Sequence, residues 1–477
     1  MSEKQDGEAP RHAWRDNIEA ITISIIMAVM LKYFVVEAYK IPTGSMQPTL
    51  MGNTETQIFD RILVDKFSYH YRDPKRWEVA VFKYPLDRSK NFIKRIWGIG
   101  PEELRVRFGD VWNRANGDEA WKVLRRSEPV QEETWKQLHL AGLGASAWKL
   151  EAPSSSAWSV REDHISAGGP GSARFPASGT VLDRYTDGYH LAVQRDIRKR
   201  PGIADNHPVG DLRLTGNVEA RADLALLTFE FREGDRRYLM TVPGPAASPA
   251  ARPSIRAESR AVRDLDLPDP LSVVVDDAWR LEAGDEISFS VQNLDDLLTL
   301  NIDGETILTL EIPPASDQTS SIYLRCEGGG AEFTELEAYR DIFYTSSHAK
   351  ISEWSGEWAI PAGHYVMLGD NTQDSSDSRE WTLARYHWPE ADGVLRGNLR
   401  GQNENPRRVP GGEHGTELWF RDEWGELHHA PESAVKRADP TSEQAPFVPR
   451  EQITGRAVLV FWPLKLGRRM WRLQWIR

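Results

Sequence analysis

The stretch YKIPTGSMQPTL, residues 39–50, sets Ser45 between a glycine and a methionine with prolines on both sides, directly after an apolar run. A serine hydroxyl becomes a good nucleophile only when a base takes its proton. The chain has 12 histidines, which leaves a serine–histidine arrangement open, but none stands in a nucleophile-elbow motif. Lysine is the other base to consider, and it has to be neutral. With an ordinary pKa near 10.4, that costs about 4.6 kcal/mol at pH 7, which burial among apolar side chains can supply. Lys94, in NFIKRIWGI, is a candidate: in a strand, Phe92, Lys94 and Ile96 share one face while Ile93, Arg95 and Trp97 share the other. The competing reading is an ordinary amphipathic strand whose lysine reaches water.

The elements that must position this pair follow from pattern. RILVDKFSY, EVAVFKYP and NFIKRIWGI are short, rich in β-branched and aromatic residues, and separated by Asp-Pro, Pro-Leu-Asp and Gly-Ile-Gly, so they predict strands joined by turns. Upstream, Ile18 to Val36 is a 19-residue run. As a helix it would extend about 28 Å against a hydrocarbon core of roughly 30 Å, so a transmembrane helix is expected over 17–36. Trp14, Tyr33 and Tyr39 would sit at the interfaces. A buried core helix and a cleaved signal peptide are the alternatives, since the charge-free stretch Ala20 to Leu31 has only 12 residues. Flanking charges do not settle the orientation.

At 477 residues the chain exceeds one domain, and a net charge of −12 argues against nucleic acid as a partner. The single cysteine, Cys326, excludes an intrachain disulfide framework and a cysteine-based metal cluster. An EF-hand reading of the acids at Asp370, Asp374 and Asp377 fails, because its sixth and twelfth positions are Ser375 and Trp381.

In order along the chain, IPTGSMQPTL, DRILVDKFSY, EVAVFKYP…NFIKRIWGI and YVMLGDNTQDSSDSREW resemble the sequence boxes of bacterial type I signal peptidases, membrane-bound serine–lysine proteases. The resemblance implies Ser45 as nucleophile and Lys94 as general base. Thr43 and the Ser45 backbone N–H would form the oxyanion hole. It further implies Ser375 as the residue that orients the lysine, and Asp377 and Arg379 as a structural pair. Tyr39, Lys40 and Ile41 with Asn91, Phe92 and Ile93 would be the strands that clamp an extended substrate. It implies cleavage after small residues, as in Ala-x-Ala, no metal or other cofactor, and preprotein signal peptides and the lipid bilayer as partners. The location would be the bacterial cytoplasmic membrane, single-pass, with the catalytic domain on the exterior face. Departures from the family pattern are Thr43 for a usual small residue, Phe59 for a glycine, GIGPEE for a Gly-Leu-Pro-Gly-Asp turn, and Thr372 and Gln373 for a usual arginine and aspartate.

Standard members have a much shorter connection where this chain has residues 118–340. Period-two runs with turns at Glu233-Gly234-Asp235 and Asp303-Gly304 predict a β-sandwich there, similar to concanavalin- or laminin-G-like jelly rolls. Its ligand, glycan or protein, is open, as is a plain spacer role. The expected organisation is mainly β: a cytoplasmic N-terminus (1–16), the helix (17–36), a signal-peptidase β-fold core in parts (37–117, 341–390 and 446–477) and a polar insertion at 391–445. The last part ends in a basic tail with Arg468, Arg469, Arg472, Trp471 and Trp475, suited to an anionic lipid surface. The alternative function is a membrane-tethered glycan- or protein-binding scaffold on a degenerate peptidase core.

Overall fold

The run that carries Lys94 forms the longest strand among the described residues, Asp87–Ile99, and the core is organised around it. In the computed structural model the described residues are 13–477 apart from 54–55, 116–119, 139–146, 152–156, 162, 190–193, 195–196, 198–206, 261–266, 269–270, 277–278, 316–318, 346–356, 390, 392, 400–404, 412–414, 440–442 and 466–469. We label the core strands β1 (Val36–Lys40), β2 (Arg61–Asp65), β3 (Val79–Tyr84), β4 (Asp87–Ile99), β5 (His364–Leu368), β6 (Phe447–Pro449), β7 (Ile453–Trp462) and β8 (Gln474–Trp475). They form one eight-stranded sheet in the order β1-β2-β7-β3-β4-β5-β6, with β8 added against β7.

β4 works in two halves. Its first half pairs only with β3, in the register Ala80↔Lys94 and Phe82↔Phe92, while its second half pairs with β5, and Arg95 has a partner on both, Val79 and Leu368. The alternation predicted from sequence is present. Phe92 and Ile96 pack with Phe82, Tyr84 and Trp381, Ile93 packs with Ile41, Met46 and Ile62 on the other face, and Trp97 packs into a third cluster with Leu104 and Trp358. Lys94 thus lies on the aromatic face, its Nζ 5.6 Å from the Phe92 ring centre.

Only part of the first strand-like run is extended. After β2 the chain turns into a short helix, Ser68–Tyr71, because the Asp65 carboxylate accepts the backbone N–H groups of Phe67 and Ser68 at 2.9 and 3.0 Å. The N-terminal expectation is met in part. Helix α1 spans Ala13–Met30, passes into one π-turn at Leu31–Val35, and gives way to β1. Among the described residues no helix is long and apolar enough to cross a membrane. The physical reason is in the first turns, where Arg15, Asp16 and Glu19 interrupt the apolar run.

Between the core segments, residues of 118–340 form a sandwich of an eight-stranded and a seven-stranded sheet closed on one core, with Phe229, Phe231, Phe289, Leu300 and Phe333 at its centre. Both predicted hairpins form as two-residue turns, Glu233↔Arg236 and Ile302↔Glu305. Asp303 and Gly304 both have positive φ there, the combination a tight hairpin turn of this twist requires. The polar insertion is built, not loose: strands Arg407–Pro410, Thr416–Arg421 and Leu427–Pro431 form a sheet, with Phe420 and Leu418 packed on Tyr386 and Trp388. In the tail, Arg468 and Arg469 lie outside the described residues. Arg472 turns inward to buried Asp60, at 2.7 Å, instead of outward.

Candidate active site

Ser45 sits in a turn between residues that anchor the chain on both sides. Ile41, Met46 and Leu50 are buried in one apolar cluster, which leaves Gly44 and Ser45 little freedom to move. A second loop, following β5, straps the turn from the other side. Asn371 Nδ2 donates to Gly44 O at 2.9 Å and Asn371 N–H to Ser45 O at 3.2 Å, while the Thr49 hydroxyl donates to Asp370 Oδ2 at 2.7 Å.

Lys94 is 3% exposed, and its Nζ lies 2.5 Å from Ser45 Oγ and 3.0 Å from Ile93 O. Burial pulls the amine down to about 8. The negative charges of Asp377 and Asp370 oppose that pull, and Arg379 assists it. The two acids are themselves neutralised by arginines. Asp377 and Arg379 are both fully buried and pair at 2.8 Å, and Asp377 Oδ2 also accepts the Gly369 N–H at 3.0 Å. Burial alone would raise this carboxyl, but Arg379 outweighs it and holds it at about 2. Arg95, on the opposite face of β4 from Lys94, grips Asp370 with two parallel bonds of 3.0 and 2.8 Å. Its remaining nitrogen donates to the carbonyls of Trp77 and Arg477. Of the acids considered for a calcium loop, Asp370 and Asp377 are thus committed to guanidinium groups, and Asp374 accepts from the Tyr185 hydroxyl at 3.4 Å.

Gly369 is required sterically. A Cβ there would lie 2.4 Å from Ser45 O and 2.1 Å from Ser375 Oγ, closer than side-chain carbons approach. The Ser375 hydroxyl makes no hydrogen bond to Lys94; it is buried beside Asp377, whose carboxyl it helps to hold ionised. Thr43 is exposed at the rim. Tyr39 and Lys40 lie on β1, the edge strand of the sheet, and Ile41 follows it with its side chain buried. Asn91, Phe92 and Ile93 lie in the part of β4 that pairs only with β3. Tyr39 and Ile93 pack on the same cluster that anchors the Ser45 turn, so these two strand edges flank the serine.

Sequence reasoning did not single out Arg95, Asn371, Gly369 or Thr49. The periodicity did place Arg95 off the lysine's face, and Gly369 to Asn371 lie within one of the boxes, but strap contacts between distant loops have no local signature.

A β-sheet core that presents a serine hydroxyl to a buried lysine amine is the arrangement of a hydrolase that dispenses with histidine. The chain belongs to the signal peptidase family, peptidase S26, whose family model matches residues 14–163 and 284–394, more than half of its length. The unmatched stretch between them falls inside the sandwich. Among curated proteins the chain is 39% identical over 115 residues to probable signal peptidase I-2 of Synechocystis sp., covering 23% of this chain and 50% of the relative. It is 37% identical over 160 residues to signal peptidase I of Pseudomonas aeruginosa, covering 29% and 53%. The chain thus spans about half the length of the curated relatives it matches. Among solved structures, a Bacillus licheniformis β-glucanase aligns with 44% of this chain and 98% of its own, at 8% identity and a TM-score of 0.28, too low to add to the sheet pairing itself.

Proposed function

We propose that this protein is a membrane-anchored serine endopeptidase that removes N-terminal signal peptides from exported preproteins after small residues, with Ser45 as nucleophile and Lys94 as general base. The observation that carries the reading is the 2.5 Å approach of Ser45 Oγ to an amine that burial has pulled to about 8. Neutral Nζ takes the hydroxyl proton as Oγ attacks the scissile carbonyl. The proton passes to the departing amine as the tetrahedral species collapses, and the same lysine then activates the water that releases the acyl group. The Ser45 N–H and the Thr43 hydroxyl stabilise the oxyanion. The open edges at Tyr39 to Ile41 and Asn91 to Ile93 hold the substrate extended, through main-chain bonds. Asp377 and Arg379 keep the loop behind Lys94 rigid, and Ser375 supports it through Asp377.

The anchor is the α1 segment with its π-turn. Ile18, Ile21, Ile25, Met27, Val29 and Phe34 are each more than half exposed, and apolar surface uncovered on every side of a helix is costly in water. This exposure supports an anchor in the bacterial cytoplasmic membrane, and the reading puts the site on its exterior face. One observation favours the binding-scaffold alternative: a groove of about 510 Å³ on the sandwich, lined in part by Trp135, Arg213, Ser290, Gln292 and Asn301, offers polar groups to a glycan or a protein segment.

Cleavage of an Ala-x-Ala preprotein by detergent-solubilised protein, beside Ser45→Ala and Lys94→Met variants of equal folded yield, separates the two. Processing that both variants lose supports the peptidase; processing they retain, or none by the parent, favours the scaffold.

A further inference from the structure

The inserted sandwich does not hang free of the site. One of its segments, Asp183 to Tyr189, touches both loops that build the Ser45–Lys94 pair. Tyr189 is buried and its hydroxyl donates to Gln47 Oε1 at 2.5 Å. Gln47, two residues beyond Ser45, is 1% exposed, and its amide folds back under Gly44, where a Cβ on that glycine would lie 3.0 Å from Gln47 Oε1. On the other loop, Gln373 Nε2 donates to Asp183 O, and the Tyr185 hydroxyl donates to Asp374 Oδ2 at 3.4 Å. Tyr185, Tyr189 and Ile197 of the sandwich share one buried cluster with Met51 and Ile58 of the core. Gly188 has φ +80°, and a Cβ there would lie 2.9 Å from Pro48 Cγ, so the segment meets the Pro48 ring at a distance that favours glycine.

The segment is as firmly tied to the sandwich as to the site. Arg340, at the end of a sandwich strand, pairs with Asp187 at 2.6 Å, both buried, and donates to Arg184 O at 3.0 Å. The Gly188 N–H donates to Gln137 O at 3.0 Å. Gln373 is also one of the positions where the fourth sequence box departs from the family pattern, and it is the residue that reaches the inserted segment.

We propose that Tyr189 is a positioning residue for the nucleophile. Through Gln47 it sets the turn that carries Ser45, so the inserted sandwich is part of the catalytic unit and not an appended binding module. This rests on the Ser45–Lys94 reading. A hydroxyl that fixes a turn next to the nucleophile acts on how often Ser45 Oγ sits within reach of Lys94. It therefore acts on kcat, and leaves the substrate edges at Tyr39 to Ile41 and Asn91 to Ile93 as they are.

The test is a double-mutant cycle on the full chain, read as kcat and KM with a short Ala-x-Ala peptide. Tyr189→Phe keeps the ring and removes only the donor. The expected result is a kcat about tenfold lower, with KM within about twofold and a thermal midpoint lower by roughly 2–4 °C, the cost of leaving the buried Gln47 acceptor without its donor. Gln47→Met should lose as much, and the double variant no more than either single one. Losses that add in the double variant, or a Tyr189→Phe that cleaves as fast as the parent, overturn the inference while leaving the dyad standing. A parent that leaves the peptide uncut overturns the dyad, and this inference with it.

Discussion

Lys94 and Lys136 are both buried amines, 3% and 6% exposed, and burial pulls both below the ordinary lysine range, to about 8 and about 7. Lys136 sits on the short strand Lys136–Gln137, opposite Arg340, whose positive charge adds to the effect of burial while Asp187, Asp370 and Asp183 oppose it. Lys94 has Asp377 and Asp370 on one side of its balance and Arg379 on the other. Judged by acidity alone, Lys136 is the amine with the larger neutral fraction at pH 7. The difference lies in what each amine faces: Lys94 Nζ has a serine hydroxyl at 2.5 Å in a turn strapped from both sides, and Lys136 lies under the Gly188 backbone where the sandwich joins the core. A depressed amine is what burial beside arginine produces; it becomes chemistry only where a nucleophile is held against it.

The sharpest way to break this comparison is to remove each amine in turn. Lys94→Met should abolish peptide cleavage, a fall of at least about a thousandfold, while Lys136→Met, at equal folded yield, should cleave within about threefold of the parent. Comparable losses from the two would show that a depressed amine at the sandwich joint matters as much as the one at Ser45.

A second variant leaves both amines in place and disturbs only geometry. Gly369→Ala forces a carbon against Ser45 O and Ser375 Oγ. The expected loss is about a hundredfold in kcat, with about 1–3 kcal/mol of destabilisation from overpacking. A variant that cleaves normally would mean the serine turn tolerates displacement, and that the strap through Asn371 does not set the 2.5 Å approach.

The pH dependence comes next in size. Only the neutral amine accepts the serine proton, so kcat/KM should rise about tenfold per pH unit below the Lys94 pKa and level off above it. That places the bend near 8. Lys136→Met should keep the same bend, and a bend that moved with Lys136 would assign the titration to the wrong lysine.

The sequence made the Ser45–Lys94 pair legible because two local signals coincided: a strand period that put Lys94 with Phe92 and Ile96, and an ordered set of boxes. Both predicted hairpins and the two-sheet sandwich were legible for the same reason, since turn pairs such as Asp303-Gly304 act over a few residues. What escaped is long-range or compensatory. Phe67 to Tyr69 reads as strand, but one carboxylate, Asp65, accepts the Phe67 and Ser68 N–H groups and turns the chain into a helix. The 17–36 run reads as a spanning helix by length, yet the folded helix starts four residues earlier, among charges, and stops at Met30. Tyr189 and Gln47 are 142 residues apart and carry no mutual pattern, and the same holds for Arg95 and Asp370. The Ser375 hydroxyl, assigned to Lys94 by resemblance, turns instead beside Asp377.

The smallest expected effect is on stability, and it separates the lysines by a measurement independent of cleavage. In the folded chain Lys136 titrates near 7 against an ordinary 10.5, so between those values the unfolded chain binds the extra proton and stability rises with pH. The contribution is fully present above the ordinary value and lost as pH falls through about 7, where the buried site must hold a charge it disfavours. Replacing the amine by methionine, of similar length and apolar, removes that cost. Lys136→Met should therefore raise the thermal midpoint at pH 6, by roughly 2–4 °C, and the advantage should shrink as the pH approaches 9. The direction discriminates between two pictures of the joint. If the Lys136 ammonium were held mainly by Asp187 and Asp183, its loss would leave those carboxylates short of a partner and the variant would melt lower at pH 6. A gain at pH 6 that fades toward pH 9 means that burial of the amine outweighs its acidic neighbours, and that the Arg340–Asp187 pair carries the joint without it.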